Sequence, residues 1–302
     1  MRRLAIRQQG RIDNFGIRRV ERLDGNVGYF DLRRMPMPEN AGPAIAAAME
    51  LVAGTHALII DLRHNGGGSP DGVVFWCSYL FSNPPVHFND IFHADTGETR
   101  QFWSLDYLPG SRYLDRPVYV LTSSRTFSGG EDFCYTLQAL GRAVVIGETT
   151  GGGAHPTRGF PISAAVHIAI PFARSINPIT GTNWEGTGVV PDIAVSESEA
   201  RNVAYGKALQ HVLSIDIPPP IADEARDALA ALAALPPAAA ATSPAGSSCR
   251  HRNMASTTTC APSTSSAGRP PSPTSWPTGG SGPTRSWAGG SQRRRPQKFS
   301  TQ

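Results

Sequence analysis

Acidic residues vanish from the last quarter of this chain. After Asp227 there is no Asp or Glu, while Arg250, Arg252, Arg269, Arg285, Arg293, Arg294, Arg295 and Lys298 all lie there. Eight of the 28 basic residues therefore belong to the tail, and residues 1 to 227 hold 20 against 24 acids, a balance of about −4 rather than the +4 of the whole chain. The basic character is a property of the tail, so it does not mark the folded part as a nucleic-acid binder. Cysteine is also scarce. Cys77 and Cys134 fall in apolar segments, Cys249 and Cys260 in the tail, and no pair has metal-ligand or disulfide-framework spacing. We read Cys77 and Cys134 as small buried hydrophobes and expect no metal and no cofactor. The opening "MRRLAIRQQGRIDNFGIRRV" has a basic start without an apolar core, and no segment is long and apolar enough to span a bilayer. No membrane partner is expected, and the chain as written reads as cytoplasmic.

An apolar content of 40% is enough to build a real core. Two alternating runs flank Asp24-Gly25 in "GIRRVERLDGNVGYFDLRR", which predicts a hairpin. Helical spacing with an early Pro43 and a stop at Gly54 predicts a helix over 41 to 54, and a second helix is expected over 69 to 82. "ALIIDLRHNGGG", "PVYVLTSS" and "AVVIGETT" are short continuous apolar strands; the last two enclose the helical "SGGEDFCYTLQALG". Buried strand, helix and buried strand predict βαβ units, hence an α/β core, with a small β excursion over 83 to 116. A last helix is expected near 197 to 213, a linker and short helix over 214 to 235. Residues 236 to 302, rich in Pro, Ser, Thr, Gly and Ala, read as a low-complexity disordered tail, and residues 1 to 13 as a flexible leader. The abrupt loss of acids also raises the expectation that the tail is an out-of-frame reading.

Four signals on this core carry chemistry. In "DLRHNGGG" glycines follow a strand directly, so backbone N–H groups can face an oxyanion; phosphate-loop spacing is absent, and a plain tight turn explains the text equally well. Ser128, in "TFSGGEDF", sits where a strand gives way to a helix, at the positive end of the helix dipole. It reads as a nucleophile or as a helix cap, since Ser128-x-x-Glu131 matches a capping box. His155 ends the glycine loop of "GETTGGGAHP" and could act as a general base, unlike His56, His87, His93, His167 and His211, which read as structural or exposed. Glu185 is the only acid between Arg174 and Val190 and could orient a base or bind a substrate amine; an exposed loop carboxylate is the plainer reading.

In this order, "GNVGYFDLRR", "ALIIDLRHNGGG", "VYVLTSSRTFSGGEDF", "AVVIGETTGGGAHP" and "EGTGVVPDIAV" resemble the tail-specific, C-terminal-processing serine protease family. The nearest branch is that of interphotoreceptor retinoid-binding protein and the tricorn protease core. The resemblance covers about residues 14 to 213 and implies a crotonase-like or ClpP-like α/β core, serine peptidase chemistry and a peptide or protein substrate. It implies that Ser128 is the nucleophile and that the amides of Gly68 and Gly129 form the oxyanion hole. Well-known members use a lysine base, but the corresponding position here is Gly153, and the chain's two lysines, Lys207 and Lys298, are elsewhere. The tricorn-like branch uses a histidine from an upstream segment together with a glutamate that matches Glu185. We therefore expect either that His155 substitutes or that this chain is a fragment with weak activity. A non-catalytic binder of apolar ligands or peptide tails is the alternative on the same fold; an acyl-CoA enzyme shares the oxyanion logic but needs no serine at this junction.

Overall fold

The computed structural model describes residues 10–163 and 166–235. The low-complexity segment expected over 236 to 302 lies outside the described residues, as does most of the expected leader. Strands β1 (Ile17–Leu23) and β2 (Val27–Leu32) form the antiparallel hairpin predicted around Asp24-Gly25. β2 then pairs in parallel with β3 (Ala57–Asp61), β3 with β6 (Val118–Thr122), β6 with β7 (Val144–Gly147), and β7 with the two-residue β11 (Ile193–Ala194). The result is a six-stranded sheet of order β1-β2-β3-β6-β7-β11, parallel except for its first strand.

Helices on both faces bury the central strands, which is why β3 and β6 read as unbroken apolar runs and are buried at every position. Successive strand residues point to opposite faces, and the core divides accordingly. Phe30, Leu58, Ile60, Val118 and Val120 pack with helices α1 (Pro38–Val52), α2 (Pro70–Ser78) and α3 (Gly129–Ala139). Tyr29, Ile59, Tyr119, Leu121 and Ile146 face α4 (Glu197–Leu213), whose Ala200, Ala204, Ala208, Leu209 and Val212 form a buried stripe at helical spacing. α5 (Pro219–Ala233) continues this layer. Within the segment expected as a linker and short helix, this helix runs to 15 residues, with Ala225 fully buried beside the β1–β2 turn and Glu224 accepting from the Gly25 N–H at 3.1 Å.

The β excursion becomes a three-stranded antiparallel sheet in which β4 (His87–His93) lies between β5 (Thr99–Trp103) and β10 (Ala173–Ile176). β8 (Thr157–Pro161) and β9 (His167–Pro171) pair as a separate ribbon exposed along its length. The loops after β3, β6 and β7 leave neighbouring parallel strands at their carboxyl ends, the usual place for a site in an open α/β sheet. No described helix is long and apolar enough to cross a membrane.

Candidate active site

Asp61, the last residue of β3, starts the first loop. Burial opposes its ionisation, but Arg63 donates from Nε at 2.9 Å, from Nη2 at 2.6 Å and from its backbone N–H at 3.1 Å, and Tyr29 Oη donates at 2.7 Å, so its pKa lies below the ordinary value. This clamp fixes the chain direction into "HNGGG". Asn65, fully buried, donates to Leu32 O and accepts from the Gly67 N–H, while its carbonyl receives the Phe127 N–H at 2.9 Å. The glycine loop is thereby tied to the loop after β6. Gly68 has φ 149°, and a Cβ there would sit 2.1 Å from Met35 O, so only glycine fits.

The second loop ends at Ser128. Its backbone lies at φ 51°, ψ −119°, a strained conformation for a residue with a side chain and one concentrated at functional sites. The expected Ser128/Glu131 capping box is present, with the Ser128 N–H donating to Glu131 Oε2 at 2.7 Å. Ser128 lines a pocket of about 310 Å³ together with Gly68, Gly129 and Asp132. A Cβ on Gly129 would lie 3.0 Å from Gly68 N, so the two backbones are in contact beside the serine. Gly129 opens α3, where a helix leaves its first N–H groups free, and no described acceptor takes the Gly68 N–H.

Glu131 joins the second loop to the third. It is fully buried, and besides Ser128 N its carboxylate accepts from Thr150 Oγ1 and Gly152 N, each at 2.6 Å, and from Gly153 N at 2.9 Å. Sequence reasoning saw this residue only as half of a cap. The text of a capping box contains no hint that the same side chain organises a loop about twenty residues downstream. Asp132, 6% exposed, was missed altogether; its one signal was a spacing of one helical turn from Ser128. Asn89 Nδ2 donates to its Oδ1 at 3.1 Å and Thr136 Oγ1 lies at 3.4 Å, yet burial dominates and raises its pKa to about 7.

At Gly153 a Cβ would lie 2.2 Å from the Phe127 ring, so the place a lysine would need is filled by an aromatic side chain. His155 and Glu185 come together: Glu185 Oε2 accepts from the N–H groups of Ala154 at 2.7 Å and His155 at 2.9 Å, and lies 3.8 Å from His155 Nδ1. Neither lines the pocket that holds Ser128, although Gly153 and Ala154, just before His155, do. Among the described residues no group of His, Cys, Asp and Glu is arranged to hold a metal ion.

The model of peptidase family S41 matches residues 26–195, which span the whole parallel sheet and all three loops. This chain belongs to peptidase family S41. Among solved structures, an S41 protease from Bacteroides fragilis aligns with a TM-score of 0.52 at 19% identity, over 72% of this chain and 58% of its own. Mature CPAF aligns with a TM-score of 0.50 at 15% identity, over 66% and 55%. The photosystem II D1 C-terminal processing protease shares 23% identity over 57% and 42%, with a TM-score of 0.44. The S41 chain thus spans about half the length of these three, and at 19% and 15% identity the likeness to the first two is one of fold. That fold is the expected mixed α/β core.

Proposed function

We propose that this chain is a serine-type peptidase of the tail-specific kind, in which Ser128 attacks the carbonyl of a peptide bond. The observation that carries the reading is the strained Ser128 lining a pocket, beside two backbone amides with no acceptor among the described residues. The developing oxyanion is taken by the N–H groups of Gly68 and Gly129, and loss of one such donor costs roughly 3 kcal/mol of transition-state stabilisation. The amide end of α3 adds the positive end of a helix dipole to the same point.

His155 is the proposed proton acceptor. Glu185 on its Nδ1 side leaves Nε2 to take the serine proton, and the residue follows directly on the pocket wall. Because His155 does not itself line the pocket, this role requires the imidazole to turn towards Ser128 when substrate is bound. A second hollow of about 330 Å³, lined by Phe15, Met35 and Met37 together with Asp13 and Arg34, shares Gly68 with the first, and the two together suit an extended peptide.

Treatment with a fluorophosphonate probe, followed by mass spectrometry, tests the nucleophile: the adduct is expected on Ser128 and absent from Ser128→Gly, a variant that tolerates the positive φ. Labelling that survives the substitution excludes Ser128. A single-turnover pH profile of acylation left unchanged by His155→Ala excludes the histidine. One observation favours the alternative of a non-catalytic peptide binder, namely that no described side chain hydrogen-bonds to the Ser128 hydroxyl. That alternative predicts ligand-dependent thermal stabilisation with no labelling.

A further inference from the structure

We propose that Asp132 sets specificity in this site by pairing with a basic side chain, arginine or lysine, on the residue whose carbonyl Ser128 attacks. The inference rests on the peptidase reading above and deepens it. Asp132 follows Ser128 by one helical turn, its N–H donating to Ser128 O at 2.9 Å, and both residues line the same pocket. Gly68 and Gly129 line it too, so a carbonyl held by their amides would lie against this pocket, within reach for the side chain on the adjacent Cα.

The pocket lining includes Ile91 and Trp184, which suit an aliphatic stem, and Asp132 is the one charged residue among the described lining residues. Its Oδ1 is occupied by Asn89 and lies near Thr136, but no described residue donates to Oδ2. Nor does any described cation pair with this carboxyl. An acid so enclosed and without a counter-ion is costly to ionise, and a substrate cation supplies the missing partner. The titratable groups packed around it do not: Cys77 from α2 and Cys134 from α3 are thiols that burial pushes well up, and Glu131 has its oxygens engaged by the loop amides. A neutral, apolar side chain would instead leave Asp132 protonated. Selectivity for the cation should therefore grow as pH rises through about 7.

The test measures binding to the full chain carrying Ser128→Gly, so that it does not depend on hydrolysis. Blocked five-residue peptides that differ only in a central arginine, norleucine or glutamine are titrated by calorimetry at pH 6 and pH 8. At pH 8 the arginine peptide is expected to bind at least tenfold tighter than the norleucine peptide. The ratio should fall towards one in Ser128→Gly/Asp132→Asn, and should shrink at pH 6 in the parent. Asp132→Ser serves as a second variant, and because each ratio is taken within one protein, a loss of stability common to both peptides cancels. Equal binding, a ratio unmoved by either substitution, a preference for glutamine over arginine, or no binding of any peptide overturns the proposal. Failure of fluorophosphonate labelling with the arginine preference intact would instead count against the peptidase reading alone.

Discussion

At the scale of single residues, the site turns on two acids at the start of α3 with opposite tasks. Glu131 is a buried carboxylate engaged by four donors from two loops, and Glu131→Gln replaces one acceptor with an amide that faces an N–H. A loss of about 2–3 kcal/mol in urea unfolding is expected, with a disproportionate fall in acylation rate because the Gly152–Gly153 loop loosens. Unchanged stability would mean that the loop is held by other contacts. Asp132 has a pKa raised from 3.8 to about 7. The native state therefore binds the proton more tightly than the unfolded chain, and the associated stability is present below pH 4 and lost as pH rises through about 7. Relative to Asp132→Asn, wild type should lose on the order of 2–4 kcal/mol between pH 4 and pH 8. Thermal unfolding of both proteins across that range measures the difference, and parallel curves would contradict it. Asp61 has the reverse sign: its lowered pKa means stability that is present above pH 4 and disappears on acidification.

At the scale of elements, the glycine loop after β3 is where backbone geometry and chemistry coincide. Gly68→Ala adds a methyl group into Met35 O at a φ that alanine rarely adopts, so the loop must move and take its amide from the proposed oxyanion position. Fluorophosphonate labelling of Ser128 is expected to slow by about 10²-fold or more, while circular dichroism keeps its native form. Labelling at the wild-type rate would remove Gly68 from the proposed oxyanion hole. The α4 stripe has a structural task instead. Leu209→Ala, at a fully buried position over the sheet, should cost about 2–5 kcal/mol in unfolding free energy and leave the site chemistry intact in the folded fraction.

At the scale of the whole molecule, the alternation of apolar strands and helices was legible in the sequence because burial on both faces requires continuous apolar runs at β3 and β6, with helical periodicity between them. The β1–β2 hairpin was legible from its turn, and the mixed α/β core followed. Boundaries were less so. The helix expected over 69 to 82 ends at Ser78, where the Ser78 hydroxyl bonds back to Val74 O, and β8 escaped notice because an exposed ribbon needs no apolar pattern.

By itself the sequence determined which residue types were available: glycines after two strands, a serine at a strand-to-helix junction, and no lysine where the relatives that use one would require it. Tertiary structure alone decided which of them meet. It put Phe127 across the space beside Gly153, paired His155 with Glu185 outside the serine pocket, and buried Glu131 and Asp132 side by side with different partners. The reason is physical: secondary structure follows from patterns a few residues long, whereas the partners and protonation of a buried acid depend on loops brought together from different strands.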